Sequence, residues 1–350
     1  MMYQNTRPAS AAPRLFRADA GRPMAMLGLC PAYQPTPLLA SPALAAECGV
    51  GALLLKDETQ RMRLGSFKAL GGAFAVAQMI SERAGEADPT SDAAKPVAAG
   101  LTFITASAGN HGLSVAAGAR VFGAGAVIVL AATVPEGFAE RIRTLGADVG
   151  RVDGDYEASV AHAQSSADEN GWLLLADGSW DGYIERPAMV MEGYTVLAEE
   201  CRREFEAGGE WPTHVFVQAG VGGLAAAVAA HIREFWAVQP KITVVEPEAA
   251  PCLLESVKAG RMTRAEGPVS EMGRLDCKEA SLIAFSALKD DADRFLLISE
   301  EEAAMAVEQL AGHNIRTTPR GAASFAALKK MAPGADSRCL AFVTEGLEEG

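Results

Sequence analysis

The stretch Gly65-Ser66-Phe67-Lys68-Ala69-Leu70-Gly71-Gly72 decides how this chain is read. One lysine stands among apolar neighbours, with glycines on both sides. Phe67 to Ile80 has the apolar spacing of a helix, so Lys68 falls near a helix start. So apolar a setting desolvates an ammonium and draws its pKa down toward the neutral nucleophile. Taken alone, such a lysine is most often a solvated surface residue. Three distant segments give it more meaning. Ser107-Ala108-Gly109-Asn110-His111-Gly112 follows one strand-like run, Gly220-Val221-Gly222-Gly223 a second, and Thr344-Glu345-Gly346 a third.

Around these segments the chain alternates strands and helices. Strands are expected at Gly51–Lys56, Leu101–Ala106, Ala126–Leu130, Asp148–Val152 and Trp172–Ala176, then at Val215–Gln218, Ile242–Glu246, Phe295–Ile298 and Cys339–Val343. Helical stretches separate them, including Leu113–Phe122, Tyr156–Asp168, Ala188–Glu206 and Leu224–Trp236. The strands are continuous apolar runs, as in a parallel sheet covered on both faces. The fold expected is α/β: two open twisted α/β domains with a cleft between them. Residues 35–80 and 185–350 would form a large domain and 81–184 a small one. Residues 1–34, rich in Pro, Ala and Arg, read as a loose leader, and 82–96 as a polar linker.

Composition narrows the function. The chain has 350 residues, 49% of them hydrophobic, enough for a sizeable core. A net charge of −13 argues against a nucleic-acid face. No uninterrupted apolar run is long enough for a membrane span, and no signal peptide is read at the N-terminus. Cys30, Cys48, Cys201, Cys252, Cys277 and Cys339 are scattered without a CxxC, which suits a reducing cytoplasm. The five histidines show no zinc spacing, so no metal is expected.

The four segments together supply what pyridoxal 5'-phosphate (PLP) needs. The Lys68 amine can form a Schiff base with an aldehyde. Gly220, Val221, Gly222 and Gly223 let the backbone approach a phosphate closely, although GVGG is not the dinucleotide fingerprint GxGxxG. Ser107, Gly109 and His111 lie where N–H groups leave a helix start, which suits a substrate carboxylate, and Asn110 can bond a ring oxygen. Thr344 would offer a neutral hydroxyl to the pyridine nitrogen, leaving the ring a weaker electron sink and favouring elimination. Asp177, in Asp177-Gly178-Ser179-Trp180-Asp181-Gly182-Tyr183, is placed to act as a general base. Each segment alone has an ordinary structural explanation.

In this order, the motifs resemble the tryptophan-synthase-β-like PLP enzymes of fold type II. Lys56-Asp57-Glu58, the Lys68 segment, Asp177 to Tyr183, Pro187, Met191, Gly193, Tyr194 and Gln218 to Gly222 are most similar to the diaminopropionate ammonia-lyases. The resemblance spans roughly residues 35–346. It implies attachment at Lys68, Asn110 on the ring oxygen, phosphate on Gly220–Gly223, Thr344 on the ring nitrogen and Asp177 as base for L-substrates. It also implies a homodimer. The reaction implied removes the β-substituent of an amino acid such as 2,3-diaminopropionate, giving a 2-oxo acid and ammonia. A β-replacement synthase, a dehydratase of a β-hydroxy amino acid such as 3-hydroxyaspartate, and a non-catalytic PLP-binding protein are the alternatives.

Three positions depart from that family pattern. Ala108 stands where the ammonia-lyases carry a second aspartate that serves the D-isomer. Lys278 replaces a glycine. Thr317-Thr318-Pro319-Arg320-Gly321-Ala322 replaces a Ser/Glu-rich segment. Lys278 and Arg320 would bring positive charge near the substrate side chain, which points to an acidic substrate.

Overall fold

The computed structural model describes residues 1–6 and 13–347. Parallel strands dominate two separate sheets. The larger has seven strands. These are β1 (Met2–Gln4), β2 (Leu38–Ala40), β3 (Ala52–Asp57), β8 (His214–Gln218), β9 (Lys241–Pro247), β10 (Arg294–Ile298) and β11 (Arg338–Val343), in the order β1-β10-β9-β8-β11-β3-β2. Its five central strands are mutually parallel, while β1 and β2 pair antiparallel at the two margins. The smaller sheet is wholly parallel, with β4 (Thr102–Ala106), β5 (Gly125–Ala131), β6 (Asp148–Val152) and β7 (Leu173–Leu174) in the order β6-β5-β4-β7. Helices cover the faces, so Phe103, Ile104, Val215, Val217, Val244, Phe295 and Leu340 are buried as the continuous apolar runs require.

The described residues before 34 are built into the fold more closely than their composition suggests. Met2–Gln4 joins the large sheet and Gly21–Leu27 is helical. Phe16, Ala18 and Leu27 are buried in the main core, and Cys30 is buried as well. Arg14 bonds Asp291, and Arg22 forms a forked pair with Glu192. Residues 7–12 of the expected leader lie outside the described residues, as do 348–350 at the other end. The expected strand at 172–176 shrinks to Leu173–Leu174. The polar stretch 82–96 runs into a short helix, Lys95–Ala99.

Helix Lys68–Arg83 lies between helices Asn110–Phe122 and Glu185–Gly208. Glycines allow the close crossing. A Cβ on Gly193 would fall 2.8 Å from the Cα of Gly71, and one on Gly72 would fall 2.3 Å from Oγ of Ser114. The segment leading into this helix is held by a buried ionic cluster. Arg61 bonds Glu58 and Glu200, and Lys56 bonds Glu200 at 2.6 Å. Every member is paired, as burial of charge demands.

Candidate active site

The four sequence segments meet at the carboxyl ends of parallel strands, the usual ligand crevice of an open α/β sheet. β3 ends at Asp57, and the next segment leads to Lys68. β4 ends at Ala106 and opens through Ser107–Gly109 into helix Asn110–Phe122. β8 ends at Gln218 and opens through the glycine loop into helix Gly223–Phe235. β11 ends at Val343, just before Thr344.

Lys68 and Asp177 come together across 109 positions of chain, Nζ directly against Oδ2. Burial alone pulls the Lys68 ammonium down, but Asp177 more than reverses this, and its pKa is raised. Burial likewise pushes the Asp177 carboxyl up; Lys68, then His111, override it and hold the acid well below the usual range. The neutral lysine expected from the apolar sequence is therefore corrected: its neighbours in sequence are apolar, but its partner in space is a carboxylate. The ammonium also lies 5.4 Å from the ring centroid of Phe67 and 5.7 Å from that of Tyr194.

His111 is buried beside this pair. Its Nε2 lies 2.7 Å from the carbonyl of Leu175, which can only accept, so Nε2 carries the proton. Burial lowers the pKa of the ring, whose other nitrogen is Nδ1. That Nδ1 has no hydrogen-bond partner among the described residues.

Gly222 adopts φ +102, which turns the chain into the N-terminus of helix Gly223–Phe235. The first N–H groups of that helix have no carbonyl partner within it, which suits a phosphate. The loop is locked to the Asp177 segment. Ser281 N donates to the carbonyl of Val221 at 2.9 Å, and Ser179 N donates to Oγ of Ser281 at 3.1 Å. A cavity of about 410 Å³ opens on Asp177, lined by Tyr156, Ser179, Trp180, Val221 and Ser281 among others.

Asn110 donates Nδ2 to Oε2 of Glu345 at 2.7 Å. Thr317, Thr318 and Arg320 also converge on Glu345. Arg320 is thus at the site, but bonded to Glu345. Lys278 is not: its ammonium bonds the carbonyls of Ala249 and Pro268 and Oδ1 of Asp276. The expected Lys278 charge on the substrate side is corrected accordingly. Two residues escaped the sequence reading, Glu345 and Arg274. The first could have been suspected from its place next to Thr344. The second carries no local signal.

The donor set fits PLP. A lysine amine, a helix N-terminus behind glycines, an amide and a hydroxyl all follow the carboxyl ends of strands. The chain belongs to the pyridoxal-phosphate dependent enzyme family, whose model matches residues 29–345, and PLP is its cofactor. Within that family it is similar to the diaminopropionate ammonia-lyase of Escherichia coli (strain K12). The two are 33% identical over 293 residues, 82% of this chain and 73% of that one. The crystal structure of the Escherichia coli enzyme in complex with D-serine has TM-score 0.88 at 28% identity, covering 99% of this chain and 93% of that one. The structure of the same enzyme with an aminoacrylate-PLP azomethine reaction intermediate gives 0.87 at 28% identity, with the same 99% and 93% coverage.

Proposed function

We propose that this protein is a PLP-dependent ammonia-lyase that eliminates the β-substituent of an amino acid to give a 2-oxo acid and ammonia. With 2,3-diaminopropionate and one water, the products are pyruvate and two molecules of ammonia. Bound PLP supplies an aldehyde for the substrate amine and a ring that takes up electrons from the α-carbon. Lys68 provides the attachment amine and Asp177, in contact with it, the partner for the α-proton. Helix N-H groups behind Gly220–Gly223 hold the phosphate, and Asn110 donates to the ring oxygen. Ser107, Gly109 and His111 receive the α-carboxylate, and Arg320 borders the side-chain end. Residues 35–80 and 185–350 make the PLP-binding domain and 81–184 the smaller one. The resemblance further suggests a homodimer at work in the cytoplasm. Among the described residues no helix is long and apolar enough to cross a membrane.

The contact between Lys68 and Asp177 carries this reading, because it joins an amine and a base at the mouth of the glycine loop. The test is an absorbance spectrum of wild type and Lys68→Ala with PLP, then a panel of β-substituted amino acids scored for 2-oxo acid and ammonia. Imine absorbance and oxo-acid release in the wild type alone are expected. Release unchanged in Lys68→Ala would refute the assignment. Added thiols or amines diverting the product to a new amino acid would favour a β-replacement synthase.

A further inference from the structure

Arg274 lies against the turn proposed to take the substrate α-carboxylate. A Cβ on Gly109 would fall 2.4 Å from Nε of Arg274 and 3.0 Å from both its Cδ and its Cζ. A side chain at that position would push the guanidinium aside. Arg320 stands beside it, with Nη1 3.3 Å from where a Cβ on Gly273 would lie. Both arginines reach the same carboxylate. Oε2 of Glu345 accepts from Asn110 at 2.7 Å and faces Nη1 of Arg274 at 3.3 Å. Oε1 accepts from Oγ1 of Thr318 at 2.6 Å and from Nε of Arg320. A carboxylate offers about four acceptor sites, and these four donors occupy them. Glu345 therefore has no capacity left for a cationic substrate group.

Resting on the elimination reading above, we propose that Arg274, with Arg320 beside it, selects β-substituted amino acids that carry a second carboxylate. A guanidinium takes a carboxylate through forked, charge-assisted hydrogen bonds. The side chain of Arg274 is only 26% exposed, so bulk water screens that attraction weakly. The same charge repels the β-ammonium of 2,3-diaminopropionate. A 3-hydroxyaspartate fits the requirement. Its α-C–H bond breaks with the proton going to the Lys68–Asp177 pair. Its β-C–O bond breaks with the electron pair leaving on oxygen, which takes up a proton and departs as water. The enamino diacid then adds one water and loses ammonia, yielding oxaloacetate with no net redox change.

The test compares 3-hydroxyaspartate, L-serine and 2,3-diaminopropionate as substrates of the PLP-loaded wild type, Arg274→Ala and Arg274→Lys. The wild type is expected to prefer 3-hydroxyaspartate. The ratio of kcat/KM for 3-hydroxyaspartate over serine should fall about 100-fold in Arg274→Ala, and less in Arg274→Lys. Equal losses for both substrates, or a wild-type preference for serine or 2,3-diaminopropionate, would overturn the inference. Maleate, an unreactive dicarboxylate, gives a readout free of turnover: it should raise the Tm of the wild-type holoenzyme more than that of Arg274→Ala. If no amino acid reacts yet maleate protection depends on Arg274, the elimination reading fails and the charge selection stands. Equal maleate protection of both proteins sinks the charge selection, whatever the turnover.

Discussion

Nε2 of Gln218 donates to Oγ1 of Thr344 at 3.0 Å. The amide orientation is dictated by its surroundings, since the carbonyls of Arg320, Gly321 and Phe342 lie 3.0 to 3.3 Å from the same nitrogen. Only an NH₂ group can face that many acceptors. Thr344 therefore receives a hydrogen bond and keeps its own O–H to give. A hydroxyl that donates matches an unprotonated pyridine nitrogen, the state in which the ring is a weak electron sink.

Thr344→Asp should reverse that polarity. A carboxylate facing the ring nitrogen would favour its protonated form. The release of 2-oxo acid is expected to slow about tenfold or more, because charge at that nitrogen tunes the cofactor. Steady-state assay beside the absorbance spectrum checks it, and an unchanged rate would place Thr344 away from the ring.

Asp177→Asn keeps shape and removes the base. Its kcat should fall about 100- to 10,000-fold, the usual weight of general base catalysis. PLP binding should survive, because the amine of Lys68 remains. A variant that binds PLP and turns over normally would transfer the proton step to Lys68 alone.

Gly193→Ala tests the helix crossing that seats Lys68. The added methyl would meet the Cα of Gly71 and the carbonyl of Leu70, each at 2.8 Å. Backbone cannot yield as a side-chain tip can, so the substitution should cost about 1–3 kcal/mol. A urea midpoint equal to that of the wild type would show the crossing to be slack.

Glu246 predicts a pH dependence of stability. It is fully buried, with its oxygens accepting N–H groups of Leu253 and Leu254, and burial pushes its pKa up to about 8 from 4.5. Between those values the folded protein holds a proton that the unfolded chain has lost. Stability from this site is therefore complete below the lower value and lost as pH rises through the upper one. Glu246→Gln should remove this contribution, so the gap in Tm between variant and wild type should shift in favour of the variant from pH 5 to pH 9. A gap independent of pH would refute it.

The strands were legible because their signal is local. Val215 to Val217 and Cys339 to Val343 are apolar in sequence and buried in the sheet. The glycine turns were legible as turns because they follow the apolar runs that became β4 and β8. Residues 13–34 were not, since their burial depends on partners far along the chain, as Arg14 depends on Asp291. The ionisation of Lys68 was misread for the same reason: Asp177 is distant in sequence. Arg274 stayed invisible because its place beside Gly109 arises only when the loop at 273–275 folds over the turn.

The short pairings of Met2–Gln4 on β10 and Leu38–Ala40 on β3 occupy both margins of the large sheet. A bare parallel margin would present rows of unsatisfied amides to any other polypeptide. Three residues at each border are too few to template a neighbour, yet enough to blunt the strand behind them. Trimming residues 1–6 would thus uncover an adhesive rim, and the shortened protein should clump in concentrated solution even while its catalytic chemistry stays intact.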